Sequence, residues 1–300
     1  MPGAFTVVDL SRLPAPDVVE QIDYDAILAE MLAELAARVP SFTALVESDP
    51  AMKVLQVAAY RETLLRQRVN DAARAVMLAF ARGADLDHIA ANYNVPRLTI
   101  TPANPQAVPP EPAVMESDDA FRARIPLSLE GYTTAGSEGS YVYHALSASG
   151  SIKDVAAESP EPGYVTVYVL SRDGDGTAEQ PLLDLVAATL NGEQVRPLTD
   201  NVTVLSASII EYDIEAELVL YPGPDPTVVE HAAVDALASY ITDMHRIGYD
   251  VSISGIMQAL HRPGVQRVNL TSPAANVVVS SGQAAYCTDV ALSVREDTDV

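Results

Sequence analysis

Cysteine is nearly absent from this chain of 300 residues, since Cys287 is the only one. A single thiol cannot form an internal disulfide, which indicates a reducing compartment. The first ten residues lack the basic start and apolar run of a secretory signal peptide. The uncharged run at residues 268–288 contains proline, asparagine and several serines, and is too polar to span a bilayer. We therefore expect a soluble protein that is made in the cytoplasm.

Basic residues are also scarce. The chain has 18 Lys and Arg against 41 Asp and Glu, which gives a net charge of -23. Nucleic acids and anionic membranes are bound through clustered positive charge, so the composition argues against both as partners. Seven of the 18 basic residues fall between positions 53 and 97. These seven are Lys53, Arg61, Arg66, Arg68, Arg74, Arg82 and Arg97. In so acidic a chain we expect them to meet protein carboxylates.

The usual signatures of catalysis and of metal or cofactor binding are missing. None of the five histidines lies in an H-E-x-x-H motif or pairs with cysteine at metal-ligand spacing. Neither the G-x-S-x-G nucleophile motif nor a glycine-rich phosphate loop occurs. Residues 172–177, RDGDGT, lack the further ligands of a calcium loop and predict a β-turn. We predict no catalytic residue, no metal and no cofactor.

The most informative feature that is present is one long helix. Pro50 suits the first helical turn, and Ser48 or Asp49 can cap its free amides. No glycine or proline follows until Gly83, which predicts about thirty helical residues where about 11–12 are usual. Gly83 is predicted to end this helix, and Asp85 to cap the short helix that follows.

Two apolar strips run along this helix at steps of three and four residues. The first, interrupted by Glu62, contains Ala51, Leu55, Ala58, Leu65, Val69, Ala72, Val76 and Phe80. The second contains Val54, Val57, Leu64, Ala75 and Leu78. Two strips predict two packing partners. A central helix buried in its own domain and a helix in an inter-chain bundle both remain open at this point.

The rest of the chain predicts an α+β multidomain protein with an N-terminal helical unit and two mixed α+β subdomains. The predicted parts are an extended arm at 1–22, a helical bundle domain at 23–98, a Pro-rich linker at 99–117, an α+β domain at 118–222 and a second α+β domain at 223–300. A helix near Asp118 is predicted to end at Arg124, because Pro126 disfavours helical geometry at the preceding residue.

A weak similarity between two segments of the chain favours two related subdomains. YHALSASGSIKDVAAESP at 143–160 and MQALHRPGVQRVNLTSP at 257–273 share a helix, a glycine turn and a strand that ends in Ser-Pro. Each is followed by a valine-rich segment that predicts a strand, at 164–171 and 275–281.

Five segments, in this order and over nearly the whole chain, resemble the phage baseplate assembly protein J family. They are DLSRLPAPDVVEQIDYDAI, the helical stretch ESDPAMKVLQVAAYRETLLRQRVNDAARAVMLAFARGADLDHIAANYNVPRL, YTTAGSEGSYVYHALSASGSI, SRDGDGTA with VRPLTDNVTV, and VQRVNLTSP. The helical stretch is the most specific part of the resemblance.

The resemblance implies a baseplate wedge component of a contractile phage tail or tail-like bacteriocin, without enzymatic activity. Members of the family are expected to associate with each other and with a second wedge protein, baseplate protein I. The wedges form a ring around the tail hub and contact sheath-proximal proteins. The long helix then supplies the bundle-forming face, whose candidate interface residues are Leu55, Ala58, Arg61, Leu65, Arg68, Val69 and Val76.

Two alternatives remain open from the residues alone. A cell-wall-directed hydrolase would need strongly perturbed carboxylates that converge in a deep pocket. A ligand-binding module would have the long helix fully covered by its own chain.

Overall fold

The computed structural model describes residues 10, 13–14, 22–40, 46–133, 136–223 and 225–296. Most of the predicted N-terminal arm lies outside these residues. The described chain divides into two compact units. The helical unit lies within residues 8–96 and includes 118–122, and the sheet unit contains 97–117 and the residues from 123 onward. The predicted α+β architecture is confirmed.

Among the described residues, three helices lie entirely within the helical unit. They are α1 (Tyr24–Arg38), α2 (Pro50–Ala75) and α3 (Gly83–Ala91). The Asp23 carboxylate caps α1 by accepting from the amides of residues 25 and 26, and the Asp49 carboxylate caps α2 by accepting from that of residue 51. Asp49, one of the two capping residues predicted for the long helix, is therefore confirmed as its N-cap. Helix α1 packs against α2 and buries Ile27.

Helix α2 ends at Ala75, earlier than predicted, and residues 76–80 form turns. Arg122 explains the difference, because its Nε donates to the carbonyl of Leu78 at 2.9 Å and its Nη2 to that of Ala81 at 2.7 Å. A guanidinium from a distant part of the sequence thus satisfies carbonyl groups that a continuing helix would have bonded internally.

Gly83 begins α3 and does not end α2, which corrects the prediction. Its φ of +50° is a conformation that glycine adopts at low cost. The Asp118 carboxylate accepts the Gly83 amide at 3.1 Å. Asp118 therefore serves the N-terminus of α3, and Asp85 lies within the first turn instead of capping it.

The proline-rich stretch contains a small β-hairpin. Strand β1 (Thr99–Thr101) pairs antiparallel with β2 (Val114–Met115). Helix α4 (Asp118–Leu127) follows, and Pro126 lies inside it, so the predicted end at Arg124 is wrong. Phe121 and Ile125 are fully buried on this helix, and tertiary packing of this kind overrides the local preference before proline.

The central module of the sheet unit starts with a short 3₁₀ turn at Glu130–Tyr132. Its main elements are α5 (Glu138–Ala148), β3 (Ile152–Glu161), β4 (Tyr164–Ser171), α6 (Gln180–Leu190) and β5 (Asn201–Ser206). The strand order is β3-β4-β5, antiparallel between β3 and β4 and parallel between β4 and β5. Inward valines of β4 pack with Tyr141 of α5 and Val186 of α6.

The C-terminal module follows after Ala207. It consists of β6 (Ser208–Leu220), α7 (Pro226–Met244), α8 (Ile253–Leu260), β7 (Val265–Ser272) and β8 (Gln283–Glu296). The strand order is β7-β6-β8, with β7 antiparallel and β8 parallel to β6. The alternate residues of β6 from 212 to 220 face a core that α7 and α8 complete. Residues 275–281 are not a regular strand, because only Val277 forms a bridge, with Val251, so that prediction is wrong.

The two modules of the sheet unit are joined by a small mixed core. Leu170 and Ala207 pack there against Ile247 and Ala284. The Asp154 carboxylate accepts the amide of Ile247 at 2.9 Å. Beside it, the Lys153 Nζ donates to Nδ1 of His245 at 2.9 Å, which requires a neutral imidazole.

This junction predicts a loss of stability in mild acid. Burial, and then the charge of Lys153, lower the pKa of His245 below its ordinary 6.5. The unfolded chain takes up a proton near pH 6.5 that the folded chain takes up only at lower pH, so the free energy of unfolding should fall as the pH drops below 6.5. Urea unfolding followed across this range checks the prediction.

Two substitutions isolate the contribution of His245. His245→Gln should weaken the pH dependence, whereas His231→Gln should leave it intact, because His231 is exposed on α7. The same pH dependence in the wild type and in His245→Gln would contradict this assignment.

Candidate partner interface

The most unusual surface of the helical unit is the outward side of α2. Six large apolar side chains are between 41% and 75% exposed there: Val54, Val57, Leu64, Leu65, Val69 and Val76. At 1.5 Å per residue they cover about 33 Å of length. Contiguous exposed apolar surface of this kind marks interaction sites in soluble proteins. Four further exposed residues lie between these six side chains: Ala58, Arg61, Arg68 and Ala72. We call the ten residues together the α2 surface.

The opposite side of α2, which includes the residues buried in the unit, is more polar. Its two fully buried side chains are Ala59 and Asn70. Thr63 donates to the carbonyl of Ala59 at 2.8 Å, and Arg66 pairs with Glu62 through Nε at 3.0 Å. The helix therefore buries small and polar residues and exposes most of its large apolar ones, the reverse of an ordinary surface helix.

Members of both predicted strips lie on this exposed side. Among the described residues, neither strip is fully covered by its own chain, as a ligand-binding module would require. The physical reason is the helical geometry, since at 100° per residue Leu65 of the first strip lies only about 20° around the helix axis from Val54 of the second. The two strips form one broad surface.

The seven predicted interface residues can now be placed. Ala58, Arg61, Leu65, Arg68, Val69 and Val76 are exposed on the α2 surface, whereas Leu55 is half-buried at its border. Val54, Val57 and Leu64, which the three- and four-residue spacing placed on the second strip, are also exposed on this surface.

Two arginines lie within the apolar surface. Arg61 and Arg68 are exposed, and neither forms a hydrogen bond or ion pair with the part of the chain that the structure describes. They are separated by seven residues, so they share one side of the helix about 10 Å apart. The α2 surface therefore combines exposed apolar side chains with two available positive charges.

Among the described residues, no group of three or more His, Cys, Asp or Glu side chains is arranged to hold a metal ion. One cleft of about 620 Å³ is lined by the turn at residues 172–177 and the start of α6. There the amide of Thr177 donates to Asp175 at 2.9 Å and lowers the pKa of that carboxyl, which is the opposite of what a general acid needs.

Within the described ranges, no helix combines the length and the apolar composition that a bilayer span requires.

Comparison with solved structures finds a chain of the anti-feeding prophage baseplate, determined by cryo-electron microscopy with six-fold symmetrisation. The two chains are 16% identical, with a TM-score of 0.41. The match covers 59% of this chain and 42% of that chain.

Comparison with protein sequences is more specific. Baseplate protein J of Escherichia phage P2 is 52% identical over 290 residues, which is 94% of this chain and 96% of that protein. Family models also match three consecutive parts of the chain. They are the Baseplate J-like N-terminal domain at 47–104, the central domain at 133–206 and the C-terminal domain at 212–293. Because these matches cover most of the sequence in order, the chain belongs to the Baseplate J-like family.

Proposed function

We propose that this chain is a structural wedge component of the baseplate of a contractile phage tail or tail-like particle. The relative from phage P2 is named as a baseplate protein and matches over nearly the whole of both chains. The single structural observation that carries the proposal is the α2 surface, which exposes apolar side chains that a solitary protein would bury. The role is assembly, without enzymatic activity.

The α2 surface is the proposed contact with partner helices. The partners are further copies of the chain and a second wedge protein of the baseplate protein I type, and the wedges assemble in the bacterial cytoplasm into a ring around the hub, next to sheath-proximal proteins. Fully burying one Val or Leu side chain contributes roughly 1.5–3 kcal/mol. Burial of even half of the six exposed side chains would then supply several kcal/mol toward the cost of association.

The arginines add specificity to this contact. Arg61 and Arg68 lie among the apolar side chains and are matched by a partner helix with carboxylates at the same seven-residue spacing. Charge pairs across an interface steer the association of the partners, and salt screens this steering. Wedge formation should therefore slow as the ionic strength rises.

Co-expression with the neighbouring wedge protein tests the proposal. We expect a stable complex whose mass, measured by native mass spectrometry, contains both proteins. A chain that stays monomeric and does not bind the wedge protein would contradict the proposal. Turnover of cell-wall fragments by the purified chain would instead support the hydrolase alternative.

A further inference from the structure

Strand β8 has one long open edge. Its other edge is paired with β6 from end to end. On the open side, the described chain meets only the start of the strand, where Ile247 bridges Ala284 and the Gly248 amide donates to the carbonyl of Gln283 at 2.8 Å. From Ala285 onward no described strand pairs with this edge. An unpaired edge of this length is a template for strand addition.

In the second half of β8, side chains alternate regularly between the core side and the outer side of the sheet. The pairing of β8 with β6 shifts register once, between Tyr212 and Asp213 of β6. It then continues without a break along residues 289–296 of β8. Val290, Leu292 and Val294 lie beside Ile214, Ala216 and Leu218 of β6, on the side of the core. Asp289, Ala291, Ser293 and Arg295 alternate with them and face outward. Val290 remains 41% exposed, so the apolar layer is unfinished at this edge.

On the outer side, the charged side chains of β8 are not fully balanced by opposite charges on β6. Asp289 lies directly opposite Asp213 of β6, and like charges opposed across neighbouring strands destabilise a sheet. At the other end of the segment, Arg295 is 53% exposed, with its Nε 3.3 Å from Glu217. A positive group placed beside Asp289 would relieve the opposition of the two aspartates.

We propose that two copies of this chain pair through their β8 edges, antiparallel, about a two-fold axis at Leu292. In this register Asp289 lies opposite Arg295 of the second copy, and the reciprocal pair forms as well. Val290 meets Val294 of the second copy, Ala291 meets Ser293, and Leu292 meets Leu292. Of the axis positions within this segment, only Leu292 brings Asp289 opposite Arg295. The two sheets then form one six-stranded sheet with a continuous apolar side.

This contact is separate from the α2 surface and does not rest on the proposed wedge function. It assigns a second self-association surface to the sheet unit. The occupant is another copy of the chain because the segment is self-complementary in both its charge and its apolar pattern.

Charge reversal tests the register. Asp289→Arg and Arg295→Asp each place like charges opposite one another twice in the dimer, and each should raise the dissociation constant for self-association about tenfold. The double variant restores two opposite-charge pairs and should recover most of the affinity. Sedimentation measures association, and circular dichroism checks that each variant is folded. Folded single variants that associate like the wild type, or a folded double variant no better than either single one, would overturn the proposal.

Cross-linking gives an independent test. In a Cys287→Ser background, full-length Ala291→Cys and Ser293→Cys chains are prepared separately, mixed and oxidised. The mixture should form a disulfide-linked dimer, because position 291 faces 293 across the axis, and neither chain alone should cross-link as well. Equal cross-linking in all samples, or none in the mixture, would overturn the register. The same result in a Leu65→Asp background would show that the β8 contact is independent of α2.

Discussion

Replacement of Leu65 by aspartate should abolish wedge assembly and leave the isolated chain folded. Leu65 is 63% exposed, so a carboxylate is well solvated there in the free chain. In the proposed bundle the same carboxylate would be taken out of water among apolar side chains, and by pairing with Arg61 or Arg68 on its own helix it would compete with the carboxylates of the partner. Co-purification with the second wedge protein, followed by mass measurement, should show loss of the complex. Thermal unfolding of the isolated variant should match that of the wild type.

A matched control lies on the same helix. Gln67 is exposed and lies outside the α2 surface, about 160° around the helix axis from Leu65 and about 60° from Leu64 at its border. Gln67→Asp adds the same charge and should assemble normally. Normal assembly of Leu65→Asp, or equal loss in both variants, would contradict the assignment of the α2 surface.

The largest stability effect is expected at a buried ion pair in the sheet unit. Arg124 of α4 donates through Nη2 to Oε2 of Glu116 at 2.7 Å and through Nε to Oε1 at 3.2 Å. Both side chains are about 5% exposed or less. Glu116 also accepts the Leu98 amide at 3.3 Å and, through its carbonyl, Nη1 of Arg97 at 2.7 Å. The pair therefore joins α4 to the chain segments beside the β1–β2 hairpin.

Arg124→Ala should destabilise the chain by about 3–5 kcal/mol, because it leaves the Glu116 carboxylate buried without its cation. Urea unfolding measures the change. The double variant Glu116→Leu/Arg124→Met should recover much of the loss, since an apolar pair of similar volume avoids the cost of burying charge.

The exposed pair on α1 provides the comparison. Arg38 and Glu34 form an ion pair in which both side chains are more than 60% exposed, so Arg38→Ala should cost less than about 1 kcal/mol. Similar losses for Arg124→Ala and Arg38→Ala would contradict the role given to burial.

Local features explain what could be predicted from the sequence. The start of α2 follows from Asp49 and Pro50, which act within one turn, and its apolar strips follow from helical spacing. Its end could not be predicted, because Arg122 bonds the turns that follow it from 44 residues away in the sequence, and Asp118 bonds the start of α3 from 35 residues away. Pro126 inside α4 has the same explanation, since the buried Phe121 and Ile125 outweigh a local preference.

The candidate interface also has a part that the local sequence predicts and a part that depends on tertiary packing. Spacing alone placed Leu65 and Val69 on one strip and Val54 on another, but which strip would be covered depends on what α1 presents to α2. The structure buries Ala59 and Asn70 of α2, and this leaves members of both strips exposed. That outcome depends on packing between helices, which cannot be predicted from the periodicity of one helix.

The central claim, that partners cover the α2 surface in the assembled wedge, can be measured by thiol labelling. In a Cys287→Ser background, Ala72→Cys places a reporter on the α2 surface and Gln67→Cys places one outside it, both at exposed positions. Labelling rates are compared between the free chain and its complex with the second wedge protein. We predict that the complex slows labelling at position 72 by at least about tenfold and leaves position 67 nearly unchanged. Equal labelling of position 72 in the free chain and in the complex would contradict the account.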